Sequence, residues 1–190
     1  MKRFGQSGTL VTSAVVSFLL ISNDASHAQF FSTAIAINNS GGIAGGQCVD
    51  DCNAFHATLT TRFGIQDFGT FGGPASVAFG INHVGEVVGQ SDTAILDANG
   101  VDYISVAFLA DREGVHNLGT LPGFNHSQAF AINNHGTVAG WSYDLDPSNP
   151  FRTLPGFQAT VWNDGTVYTI GDLGGGSSIA FGINDSGVIV

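Results

Sequence analysis

Residues 76–91 read SVAFGINHVGEVVGQS, and three other parts of the chain read nearly the same: STAIAINNSGGIAGGQ at 32–47, SQAFAINNHGTVAGWS at 127–142 and SSIAFGINDSGVIV at 177–190. The four align without gaps on an Asn-x-x-Gly element, Asn38 with Gly41, Asn82 with Gly85, Asn133 with Gly136 and Asn184 with Gly187. A second glycine follows four residues later, at Gly45, Gly89 and Gly140. The Asn-to-Asn steps are 44, 51 and 51 residues, a period typical of propeller blades and solenoid units.

Working outward, a second phrase precedes each later Asn: FGTFGG from Phe68, LGTLPG from Leu118 and IGDLGG from Ile170. Ahead of that phrase lies an apolar pair split by a turn, in AFLADREGVHNLG (107–119), ATVWNDGTVYTIG (159–171) and, more weakly, HATLTTRFGIQDFG (56–69). Each period therefore holds two hairpins, or four short strands. No sustained i, i+3, i+4 apolar pattern competes, and glycine interrupts every window. The expected fold is all-β, a run of four-stranded antiparallel units forming part of a β-propeller, with a β-solenoid as the alternative.

Turn chemistry explains the Asn-x-x-Gly element. Asn opens a type I turn with its side-chain oxygen accepting backbone N–H groups, and Gly in the left-handed region closes the strand pair. A ring of ligating asparagines is not needed to account for it. In the last unit the second glycine would fall one residue past Val190, so the register predicts about three and a half units and an incomplete array.

The N-terminus reads differently. Lys2 and Arg3 precede the charge-free run Leu10 to Ile21, and Ser26-His27-Ala28 places small residues at the exit, the order of a secretory signal peptide. Twelve uncharged residues are too few for a membrane span, which needs about 20. Residues 1–28 are therefore read as a signal helix and residues 29–190 as the repeat region. The remaining chain has Arg62, Arg112 and Arg152 against fourteen acids, a net charge of −11 with no lysine. That balance argues against nucleic acid or an anionic membrane as partner, since both recruit clustered Lys and Arg. A secreted or periplasmic address follows.

The repeats resemble the HAF family of extracellular repeat proteins, whose units carry a phrase close to AFGIN..G.VVG.S followed by HAF.W..G...LGTLGG. Ala78-Phe79-Gly80-Ile81-Asn82 through Val87-Val88-Gly89 is the nearest copy, while Phe55-His56-Ala57, Val106-Ala107-Phe108 and Gln158-Ala159-Thr160 stand where His-Ala-Phe is expected. The resemblance covers nearly all of the chain after residue 28. It implies an exported, propeller-like repeat protein and carries no catalytic residues across.

Several side-chain groups have a chemical reading beside a structural one. Cys48 and Cys52 form a short-loop disulfide in an oxidising compartment, or join Asp50, Asp51 and His56 as metal ligands. The acidic stretches Asp97–Asp102 and Asp144–Asn149 are solvated turns, or oxygen-rich loops that would take calcium, although neither completes a known calcium motif. No other cofactor is expected. Asp67, Asp111 and Glu113 are solvent-facing turn carboxylates, or the pair a glycosidase-like site would draw on, and Tyr103, Trp141, Phe151 and Trp162 belong to a packed core or blade interface, or would line a sugar surface. None of the scattered histidines has a nucleophile at motif spacing. The expected function is an exported binding or scaffold module for an extracellular protein or glycan, without catalysis. A secreted propeller-type hydrolase acting on extracellular glycans is the alternative.

Overall fold

The computed structural model describes residues 32–190 apart from 99, 101, 147, 148, 154 and 155, so the expected signal segment lies outside the described residues. The described chain is all-β. Its one helical element is the 3-10 turn Asp50–Cys52.

Alternating small and apolar residues form β1 (Ser32–Ile37), β2 (Ile43–Val49), β3 (Ala54–Thr61) and β4 (Gly64–Asp67), each antiparallel to the next. The same order returns in β5 (Gly72–Ile81), β6 (Val87–Leu96), β7 (Tyr103–Ala110) and β8 (Val115–Gly119). One parallel bridge, Phe55 to Ala75, joins the two sets into an eight-stranded sheet. A separate four-stranded sheet follows: β9 (His126–Ile132), β10 (Val138–Tyr143), β13 (Gln158–Asn163) and β14 (Thr166–Thr169). The ribbon of β11 (Leu145–Asp146) and β12 (Asn149–Thr153) is inserted between β10 and β13. Residues 170–190 are mostly irregular, with a single bridge between Ile183 and Ile189. The sheets do not close into a barrel.

The core lies between successive four-strand sets. Ala44, Ala57, Ala78, Val87, Phe108 and Ala110 pack between the first and second sets, and Val88, Ala107, Ala129, Ile132, Val138 and Trp162 between the second and third. Alanine is frequent because sheets that approach closely leave little room for longer side chains. Ala139, Ala159 and Ala180 continue the series toward the C-terminal residues.

The second glycine of each sequence phrase has a steric cause. Pairing between the first two strands of each set skips one residue: Ile35, Phe79 and Phe130 are each the extra residue of a β-bulge. Opposite the bulge, a Cβ on Gly89 would be driven into the carbonyl oxygen of Val77, and Gly45 and Gly140 meet Thr33 and Gln128 in the same way. A bulge also re-aims its side chain. Phe79 and Phe130 come to 5.7 Å between ring centroids, and Phe130 lies 5.1 Å from Phe181.

Three serine hydroxyls fasten neighbouring sets together. Ser76 Oγ accepts from the Ala57 amide at 2.8 Å and donates to the Gly69 carbonyl. Ser127 does the same with Ala107 and Gly119, and Ser178 with Ala159 and Gly171. The glycine carbonyl in each case belongs to the FGTFGG-type phrase.

Candidate functional site

The turn asparagines use both ends of their amides. In the turn of Asn82, the Gly85 amide donates to the Asn82 carbonyl at 3.2 Å, the Asn82 amide to the Glu86 carbonyl at 3.0 Å, and the Glu86 amide to Asn82 Oδ1 at 2.9 Å. Asn38 with Gly41, Asn133 with Gly136 and Asn184 with Gly187 close in the same way. Gly85 has φ 93°, a left-handed value that a side chain would strain. The Nδ2 groups then reach across to the next turn: Asn38 donates to the Asn82 carbonyl at 2.9 Å, Asn82 to Asn133 at 3.1 Å and Asn133 to Asn184 at 3.2 Å. These bonds hold the hairpin tips of successive sets side by side.

At that end of the molecule, between the first and second sets, lies a groove of about 1090 Å³. Four hairpin tips frame it: the β1–β2 turn with Asn38 and Ser40, the β3–β4 turn with Arg62 and Phe63, the β5–β6 turn with His83 and Glu86, and the β7–β8 turn with Asp111, Arg112 and Glu113. Arg62 sits over the Phe63 ring at 4.6 Å from its centroid, a cation–π contact on a ring that is itself 85% exposed. Among the described residues neither Arg62 nor Arg112 forms an ion pair.

The carboxylates of the groove are differently placed. Asp111 accepts from the amides of Glu113 and Gly114 and bonds His116 at 3.0 Å. Burial pushes its carboxyl up, and these bonds outweigh that effect, leaving it below the ordinary carboxylate value. Glu86 accepts from Asn82 Nδ2. Two of the groove's acids are thus bound within the protein while both guanidinium groups face solvent.

Other residues singled out in the sequence are distributed as follows. Cys48 and Cys52 are joined by a disulfide, and His56 bonds both oxygens of Asp67 at 3.0 Å, so the C-x3-C-x3-H set is not assembled around one point. Among the described residues no group of three or more His, Cys, Asp and Glu side chains is placed to hold a metal ion. Asp97 and Asp102 close a turn through the Asp97 amide and Asp102 carbonyl at 2.8 Å, and Asp144 accepts from the Asn125 amide. The side chains of 146 and 149 lie outside the described residues. Asp111 and Glu113 share the groove, whereas Asp67 is not part of it.

The described aromatics among these do not form a common surface. Trp162 is 3% exposed in the core with Nε1 donating to the Gly119 carbonyl, the packed-core alternative to a sugar surface. Trp141 stacks on Tyr143 at 4.5 Å and donates from Nε1 to Gln128. Tyr103 is 40% exposed, and the Phe151 side chain lies outside the described residues.

Sequence reasoning passed over Arg62, Phe63 and Arg112. The signal was present: TTRFG at 60–64 and ADREG at 110–114 occupy corresponding hairpins, each with Arg two residues before the turn glycine. No family model, curated protein or solved structure matches the chain.

Proposed function

We propose that the chain is an exported binding module built from HAF-like repeats that follow one another as propeller blades do, and that it takes an extracellular ligand in the groove between its first two units. The observation that carries this reading is the groove of about 1090 Å³ framed by four hairpin tips. It is at the large end of ligand sites, which run to about 1,000 Å³, and suits an oligomer better than a single small molecule. Loops held on a rigid sheet frame are the usual place for recognition, and the Asn38 cross-bond fastens the β1–β2 tip to the β5–β6 tip. The signal-like N-terminus and the Cys48–Cys52 disulfide support an oxidising address outside the cytoplasm.

Amide NMR spectra recorded during titration with a panel of neutral and charged oligosaccharides and extracellular-type peptides test this reading. Saturable shifts confined to residues 38–42, 61–64, 82–86 and 111–114 are expected for at least one member. Silence from these tips across the panel, or turnover of a panel member, would overturn it.

A further inference from the structure

Resting on the binding-module reading, we infer that the groove selects carboxylate-bearing glycans, oligosaccharides of uronic acids, with Arg62 and Arg112 as the carboxylate receptors. The chain after residue 28 has three basic residues, and two of them line this one groove from opposite sets. Among the described residues neither guanidinium group has an ion-pair partner, and because Glu86, Asp111 and Glu113 share the groove with them, the two arginines act as separate local receptors and not as a basic patch. Arg presents a planar fork of donors that matches a carboxylate in two parallel bonds.

The acids nearby do not occupy that role. Asp111 is taken by His116 and two backbone amides, and Glu86 by Asn82. Glu113 remains, on the same tip as Arg112. Its charge sets a selective condition: a ligand with one carboxylate gains little, and one with carboxylates spaced to reach both arginines gains from each.

Phe63 argues for a sugar. Its ring is 85% exposed, and with Arg62 over it at 4.6 Å it pairs an apolar aromatic face with a cation. A uronic acid unit has the matching pair, an apolar C–H face on the pyranose ring and a carboxylate at its edge. Ser40, Thr61 and Gln66 add hydroxyl and amide groups suited to sugar hydroxyls. A peptide-binding groove would be expected to offer deep apolar pockets for anchor side chains.

Calorimetry with tetragalacturonate, its methyl-esterified form, maltotetraose and a tetraglutamate peptide tests the inference. Tetragalacturonate is expected to bind, with the methyl ester and maltotetraose weaker by roughly tenfold or more and the gap closing as salt is raised. Arg62→Gln and Arg112→Gln should each weaken tetragalacturonate by roughly tenfold while leaving the methyl ester unchanged. Phe63→Ala should weaken acid and ester alike. All three positions are exposed, and unchanged thermal midpoints would show that the variants fold. Equal affinity for acid and ester, or no effect of Arg112→Gln, would overturn the carboxylate assignment. Tighter binding of tetraglutamate would overturn the glycan assignment. A neutral sugar that shifts the four tips with an affinity equal to or tighter than that of tetragalacturonate would sink this inference and leave the binding-module reading standing, whereas silence from the tips would sink both.

Discussion

Asn82 donates from its side-chain Nδ2 to the backbone carbonyl of Asn133, 51 residues away, at 3.1 Å, while its Oδ1 accepts the Glu86 amide at 2.9 Å inside its own turn. One amide thus shapes a hairpin and fastens it to the next. Asn82 is 4% exposed, so a lost partner there is not replaced freely by water. Asn82→Ala should cost about 1–3 kcal/mol, the penalty for leaving buried polar groups unsatisfied. Asn184, exposed and with Oδ1 bonded only to the Val188 amide, supplies the contrast. Asn184→Ala should stay within about 1 kcal/mol. Urea unfolding of the two variants checks the difference, and equal losses would show that the cross-bond contributes nothing.

Ser127 makes the other connection. It is fully buried, accepts from the Ala107 amide at 2.8 Å and donates to the Gly119 carbonyl at 2.7 Å. Ser127→Ala strands one donor and one acceptor while changing volume little. A loss of about 2–3 kcal/mol is expected, at the upper part of the range for an unsatisfied buried pair. Ser127→Thr, which keeps the hydroxyl and adds a methyl, should fail for steric reasons instead. Hydrogen exchange separates the two, because only Ser127→Ala should deprotect the Ala107 amide more than its strand neighbours.

Much of this was legible along the chain, and the limits are physical. Asn-x-x-Gly reads as a turn because every contact that defines it is local. The onward bond of Asn82 is not local, although a count of its groups points to it: the turn uses the oxygen and leaves two N–H donors unassigned. Gly45, Gly89 and Gly140 recur visibly, yet their cause is a bulge on the facing strand, and bulge position depends on register between strands. Trp162 could not be told from an exposed ring by composition, since its burial depends on a neighbouring set some 40 residues away in sequence, where it meets Gly119. The groove was missed because Arg62 and Arg112 come together only when two sets lie side by side.

The two glycine classes should respond differently to the same change. Gly136 has φ 81° and open space around a built Cβ, so Gly136→Ala should cost only the ~1–2 kcal/mol of left-handed strain. Gly89→Ala forces a methyl into the Val77 carbonyl, and backbone must move to admit it. That places it at or above the ~1–3 kcal/mol typical of overpacking. Thermal melts of both variants check the order, which a smaller loss at Gly89 would reverse.

The Cys48–Cys52 disulfide closes a loop of five residues at the junction of β2 and β3. A loop this short removes little denatured-state entropy, roughly 2 kcal/mol in the chain-entropy account. It also ties down Asp50 and Asp51, two non-glycine residues at φ 50° and 57°. Cys48→Ser with Cys52→Ser should therefore lower stability by about that amount and raise amide exchange at residues 48–56 ahead of the rest of the sheet. Uniform loosening of the whole sheet would contradict a local role.

His126 links acidity to stability. It is 2% exposed, its Nδ1 accepts the Ser105 amide at 3.2 Å, and its ring stacks on Tyr143 at 5.2 Å. Burial drives its pKa below the ordinary 6.5, against the opposing pull of Asp144, Asp97, Asp102 and Asp92, so the folded protein holds it neutral. The unfolded chain takes up a proton near pH 6.5 that the folded chain refuses, and stability falls as pH drops below that point until the folded pKa is reached. Asp92 acts in the opposite sense: burial raises its pKa, so its ionisation costs stability above 3.8 and the cost is relieved on acidification. The two are distinguishable by sign, because His126 makes stability rise with pH across its window and Asp92 makes it fall. His126→Gln should lower stability at neutral pH, where the stacked ring and its hydrogen bond are lost, and should flatten the slope of unfolding free energy just below pH 6.5. Urea unfolding at a series of pH values reads both. A slope in the His126→Gln variant equal to that of the parent would assign the acid sensitivity to another group.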